Sequence, residues 1–403
     1  MATKNCLSTS EHAPLVGDGA AARLLSYAEL DSLHALRGFC AFYVVVFHAK
    51  FILWSGGTEY LKAFPRAGWS LSQYAAFATD MLSSAGYEMV IFFFVLSGFF
   101  IRYAQLKKNR PALRFYLNRV VRIFPPYLAS LVLAGAVLAY LAYAHPALLT
   151  NASGRELNAG LLAAQQEMKS LTWFGLGRML LFMQPGQHFF GYNNVYWSLL
   201  PEALFYLLVP LAFRHVRAYY VLSAVGYGCG ILATALHLNT GFLGSFLFLY
   251  NGYFALGVGL YDFVTQQPKW LATFRRVKSI WLVTLIPGLV LLLIGTAALK
   301  LKVVSGPLAA LLAVLSTSLS LAGRVSRQNL LVRALRRVGL FSFSLYLYHF
   351  PLLILTYAGL VATTGLLVNY SRYYWAALPL VTLGCFAFYY ITENLAVQFF
   401  RRT

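Results

Sequence analysis

Ten apolar runs of roughly 20 residues each constrain this chain more than any other feature, because an α-helix of that length crosses the ~30 Å hydrocarbon layer of a bilayer. The runs are 33–54, 84–103, 126–145, 196–213, 218–238, 243–263, 279–299, 306–322, 340–361 and 374–394. No water reaches that layer, so each backbone N–H and C=O must bond within its own segment, and the helix is the form that allows it. The expected fold class is all-α, a polytopic membrane bundle of about ten transmembrane helices. Composition agrees: 11% of the 403 residues are charged, against about 25% in a soluble domain. Residues 1–30 are polar and lack a basic stretch followed by an apolar core, so they read as a tail rather than a cleaved leader. The expected division is a 1–30 cytoplasmic tail and a 31–403 membrane domain.

A net charge of +20 would suit nucleic acid if it lay on a soluble face. Here the basic residues fall in short loops between apolar runs, as orientation signals do. Nucleic acid is therefore set aside, and membrane lipid is the expected surface. With the N-terminus inside, 22 lysines and arginines fall on that side and nine on the other, and Arg37 within the first run completes the 32. That bias places both termini in the cytoplasm. The long loops 55–83 and 146–195 then share the outer side, where Leu171–Met183 can form an interfacial helix. Cys6, Cys40, Cys229 and Cys385 are scattered, with neither disulfide nor metal spacing, so no metal is expected. The chain ends about nine residues after the last run, which places any chemistry within the bundle.

Ionisable residues inside such runs are expensive and mark function by default. Arg37 and His48 are eleven residues apart, almost three helical turns, so they share one face about 16 Å apart. A neutral imidazole in a wet cavity can take a proton from a hydroxyl. The plainer alternatives are a histidine bonded to a neighbouring helix and an arginine reaching the interface. In Phe93-Phe94-Val95-Leu96-Ser97-Gly98-Phe99, Gly98 reads as a packing notch and Ser97 as a cavity hydroxyl.

The segment Lys107–Arg122 repeats arginines on one helical face, with Arg114, Arg119 and Arg122 in phase. It suits a lipid-headgroup anchor or a cradle for a phosphorylated ligand. In Trp197-Ser198-Leu199-Leu200-Pro201-Glu202, Asn194 or Ser198 can cap a helix that Pro201 helps start. Glu202 then lies just below the outer surface, as a carboxylate at a cavity mouth or a helix-start acid. His349 sits near mid-span in Tyr346-Leu347-Tyr348-His349-Phe350-Pro351, and Glu393 is expected to pair with Arg401 or Arg402.

Taken in this order, these strings resemble acyltransferase family 3, bacterial ten-helix membrane O-acyltransferases that modify cell-surface glycans and related acceptors. The matches are Leu36-Arg37-Gly38 with Phe47-His48-Ala49, Phe93–Phe99, Arg119-Val120-Val121-Arg122-Ile123-Phe124-Pro125, Trp197–Tyr206 and Phe343–Pro351. Three positions depart from the family's pattern: a single acid at Glu202-Ala203, Tyr348 before His349, and Phe124 before Pro125.

The resemblance implies an acyl-coenzyme A co-substrate, usually acetyl, in the cytoplasm and an acceptor hydroxyl on the outer side. It implies His48 and Glu202 as catalytic residues and Arg37, Arg119 and Arg122 as coenzyme ligands. Arg102 and Ser97 join the coenzyme side, and Trp197, Tyr346 and His349 the acceptor side. The acceptor is a glycan or glycolipid, with exopolysaccharide, lipopolysaccharide and lipid-linked sugar all compatible. The implied location is the bacterial inner membrane. A proton-coupled transporter, with His48, Glu202 and His349 as relay, is the rival reading.

Overall fold

A computed structural model describes residues 25–326, 328–370, 372 and 374–402, without the side chains of 268 and 400–402. Among them ten helices are long and apolar enough to cross a membrane, as expected for a multi-pass membrane protein. We label these α1 (Tyr27–Leu53), α2 (Gly86–Lys108), α3 (Ala112–Ala144), α4 (Leu199–Arg214), α5 (Val216–Ala235), α6 (Asn251–Gln266), α7 (Ser279–Ala298), α8 (Lys302–Leu321), α9 (Ser342–Thr364) and α10 (Tyr374–Tyr389). No strand occurs among the described residues.

Local chemistry explains the ends. Ser26 and Glu29 cap α1 reciprocally: the Glu29 amide donates to Ser26 Oγ at 3.2 Å and the Ser26 amide to Glu29 Oε2 at 2.8 Å. This satisfies two donors that the first helical turn leaves open. Asn109, left-handed at φ +40°, closes α2, a conformation asparagine tolerates better than most residues. Two expectations need correction. The third span does not begin at 126: α3 starts at Ala112 and runs through Pro125 and Pro126, so basic face and span form one helix. Membrane helices tolerate such prolines because neighbouring groups take up the freed backbone atoms. Nor do Asn194 and Ser198 cap α4. A tight turn over Asn194–Ser198 leads into it, and Ser198 Oγ bonds Val195 O (3.3 Å) and Tyr346 Oη (2.9 Å) instead.

Helices α2 and α6 cross in close contact. A Cβ on Gly98 would collide with the Phe254 carbonyl, and one on Gly257 with that of Val95. Small residues allow this approach where apolar lipid gives helices little reason to associate. Gly98 is thus the packing notch that its sequence suggested.

Loops 55–83, 146–195 and 365–370 gather at one end, which we call the loop end. Arg155 holds them together, donating to the carbonyls of Phe51 (2.8 Å), Ile52 (2.6 Å) and Leu367 (3.0 Å). Burial lowers its guanidinium from the ordinary arginine value, and Tyr357 beside it opposes that shift. Buried Asp80 receives Arg372 Nε at 2.8 Å and the Tyr374 hydroxyl at 2.5 Å. Lys50 Nζ donates to the Asp80 carbonyl (2.9 Å) and Ser84 Oγ (3.0 Å). A helix expected within Leu171–Met183, interfacial or re-entrant, is present as Trp173–Leu180, with Trp173 and Phe174 exposed. The opposite, basic end holds the start of α1, the arginines of α3 and a short amphipathic helix, Leu330–Leu340. Arg336 from that helix pairs with Asp31 at 2.7 Å.

Candidate functional site

Helices α1 and α9 pack side by side, and this brings together two histidines 301 positions apart. His48 Nδ1 lies 2.9 Å from His349 Nε2. His349 Nδ1 lies 2.9 Å from the Leu345 carbonyl. A carbonyl only accepts, so His349 carries its proton on Nδ1, and its Nε2 is an acceptor. His48 must then donate from Nδ1. Its own Nε2 is left with a free lone pair, the form a proton acceptor needs. His349 is fully buried and His48 partly open, with the rings of Phe47 and Phe350 edge-on to it at 5.1 and 5.2 Å. His349 therefore orients His48 from behind.

One to two turns before His48, α1 lines a narrow cavity of about 30 Å³ through Cys40, Ala41 and Val44. Ser198 and Glu202 of the α4 segment and Tyr346 of α9 supply its polar wall. Glu202 is held at its carboxylate: the Tyr206 hydroxyl donates a short hydrogen bond to Oε1, and Ser97 Oγ donates at 3.4 Å. Tyr206 follows Glu202 by four residues, one helical turn, so this partner was readable from spacing. Trp197 stacks on Tyr87 at 5.5 Å and sits against Phe94, a wall of the cavity, at 6.2 Å.

The arginines separate into three kinds. Arg37 Nη2 makes one hydrogen bond, to Ser342 Oγ at 3.2 Å, and its guanidinium lies over Phe93 (5.1 Å) and Phe100 (5.4 Å). Arg122, Glu202 and Glu393 lie within its electrostatic reach. Arg119 packs over Tyr206 and Phe115 and donates to Asn118 Oδ1 at 2.8 Å, but its buried Nε has no partner. Arg122 Nε is 3.9 Å from Glu393. Glu393 takes a 2.7 Å hydrogen bond from Ser344 Oγ. So Arg122 and Ser344 occupy the acid expected to pair with Arg401 or Arg402, whose side chains lie outside the described residues.

Arg102 departs from the coenzyme group. Its Nε and Nη2 hold both oxygens of Asp262 at 2.8 and 2.9 Å, and Tyr220 braces that carboxylate at 2.7 Å. A bidentate pair of this kind already neutralises the guanidinium. Arg102 therefore ties α2 to α6, with its buried Nη1 left without a partner. Asp262 was missed in sequence, although an acid within an apolar run was visible there.

The bundle thus holds a hydrogen-bonded histidine pair, a carboxylate-bearing cavity and, towards one end, a group of arginines. The chain belongs to the acyltransferase-domain family, whose family model matches residues 30–390, nearly its whole length. It is a membrane acyltransferase. No curated protein and no solved structure matches the chain. Among the described residues no three His, Cys, Asp or Glu converge as a metal site would require.

Proposed function

We propose that the protein transfers an acyl group, acetyl in the first instance, from cytoplasmic acyl-coenzyme A to a hydroxyl of a glycan or glycolipid on the outer side. The reading further places it in a bacterial inner membrane with both termini in the cytoplasm, the side to which its basic loops belong. The observation that carries the proposal is the proton arrangement of the histidine pair, with His48 Nε2 free to accept.

In this reading the coenzyme phosphates meet Arg119 and Arg122, with Arg37 above them. Phosphate suits guanidinium donors in fixed planar geometry, and Arg119 Nε is a buried donor in want of an acceptor. Arg102 is not used, because Asp262 occupies it. The crowded Phe and Tyr walls favour a short acyl chain. His48 Nε2 removes the proton of the acceptor hydroxyl as its oxygen attacks the thioester carbonyl. The C–S bond then breaks, and the leaving thiolate recovers the proton from His48. His349 keeps the imidazole in the required tautomer and stabilises its charged form through the shared hydrogen bond. Glu202, fixed by Tyr206 and Ser97, orients the acceptor beside Tyr346 and Trp197.

Membranes incubated with labelled acetyl-coenzyme A test this. His48→Ala is expected to reduce transfer by about 10²–10⁴-fold, the usual contribution of a general base, at unchanged membrane abundance. Wild-type transfer by that variant overturns the assignment.

A further inference from the structure

A second cleft lies at the loop end, on the far side of Trp197 from the Glu202 cavity. Its volume is about 350 Å³. Phe182, Phe189, Trp197, Phe242 and Tyr250 form its walls, and Arg178 supplies its charge. Trp197 and Phe94 touch edge-on at 6.2 Å, and Phe94 lines the Glu202 cavity, so one aromatic layer parts the two spaces.

Arg178 differs from the other cations of this end. Its guanidinium sits 5.9 Å over the Phe174 ring, and its Nε is buried without a hydrogen-bond partner. Glu167, the acid nearest in this loop, is occupied: it accepts from the Gln187 amide (3.0 Å), the His188 amide (3.2 Å) and the His188 ring (3.1 Å). A guanidinium with an open buried donor in an aromatic cleft suits a planar anion. The surrounding rings offer faces on which the C–H surface of a sugar can lie, and Gln184 and Ser245 add hydrogen-bonding groups at its edge. Trp173, Phe174 and Leu181 stay outward on the same segment. Outward aromatic rings of this kind collect at membrane surfaces.

We infer that this cleft is the acceptor vestibule and that it takes an anionic saccharide, one carrying a carboxylate or phosphate, with Arg178 as the group that reads the charge. Calling the saccharide the acceptor rests on the acyl-transfer reading above; the binding itself does not. Trp197 is then the partition that the acceptor hydroxyl must pass on its way to Glu202 and His48.

The test is binding, which needs no chemistry, so its failure is distinct from failure of the acyl-transfer reading. The full-length protein in nanodiscs is titrated with methyl glucuronide and methyl glucoside, followed by saturation-transfer NMR, and again with the octyl pair. The glucuronide is expected to bind at least tenfold more tightly than the glucoside, and Arg178→Gln to erase that difference. Arg178→Lys keeps the cation and is expected to retain most of the preference, which guards against a misfolded glutamine variant. A preference in both pairs assigns the cleft to a free saccharide; a preference confined to the octyl pair assigns it to a lipid-linked one. Equal binding of glucuronide and glucoside by the wild type, no binding of either glucuronide, or a preference that survives Arg178→Gln overturns the proposal.

Discussion

The two ends of the bundle use cations in opposite ways. At the loop end Lys50, Arg155 and Arg372 have their donors matched by carbonyls, a serine hydroxyl or Asp80. Towards the basic end, Arg37 makes one long hydrogen bond, Arg119 leaves Nε open and Arg122 reaches Glu393 at only 3.9 Å. A buried donor without an acceptor costs free energy that a folded chain normally avoids. Where such a donor is left open, as at Arg119 Nε, an anionic ligand is a natural complement. Saturated cations hold loops together; open ones wait for an anion. Neither end is uniform. On the basic side Arg102 and Arg336 pair with Asp262 and Asp31, although Arg102 Nη1 keeps no partner, and at the loop end Arg178 Nε is open.

The contrast breaks if the two kinds of cation respond alike to mutation. Asp80→Ala removes hydrogen bonds from Arg372 and Tyr374, each worth about 1.5–3 kcal/mol to a charged group. The expected outcome is the larger effect: a loss of about 3 kcal/mol or more in stability, read as a lower unfolding temperature in detergent, with the KM for acyl-coenzyme A unchanged in protein that remains folded. Arg119→Gln is expected to do the reverse. Losing a charge-assisted contact worth about 1.5–3 kcal/mol raises that KM roughly 10- to 150-fold, while the unfolding temperature stays within a few degrees. Were Arg119→Gln to melt the protein and leave KM alone, Arg119 would belong with the structural cations.

Much of the architecture was legible in the sequence, because span length and loop charge are properties of short segments. All ten runs are helices, and both long loops share an end. Local spacing also exposed the in-phase Arg37 and His48. Partnership across the chain was not legible. Nothing near His48 in sequence announces His349 as its hydrogen-bond partner, since that pairing depends on how α1 and α9 pack. For the same reason Arg102 looked free until α6 placed Asp262 against it. The third run was read from 126 because the segment before it is basic, yet the helix continues back through Pro125-Pro126, which a bundle can accommodate. Tyr206 could have been found, one turn after Glu202 on the same helix.

The most direct measurement is a structure of the protein with a non-hydrolysable thioether analogue of acetyl-coenzyme A. The expected result has the atom replacing the thioester carbonyl within about 6 Å of His48 Nε2, room for one hydroxyl between base and carbon, and the phosphates on Arg119 and Arg122. An analogue seated away from that ring, with His48 enclosed by aliphatic side chains and no passage to it, contradicts the assignment of His48 as the base.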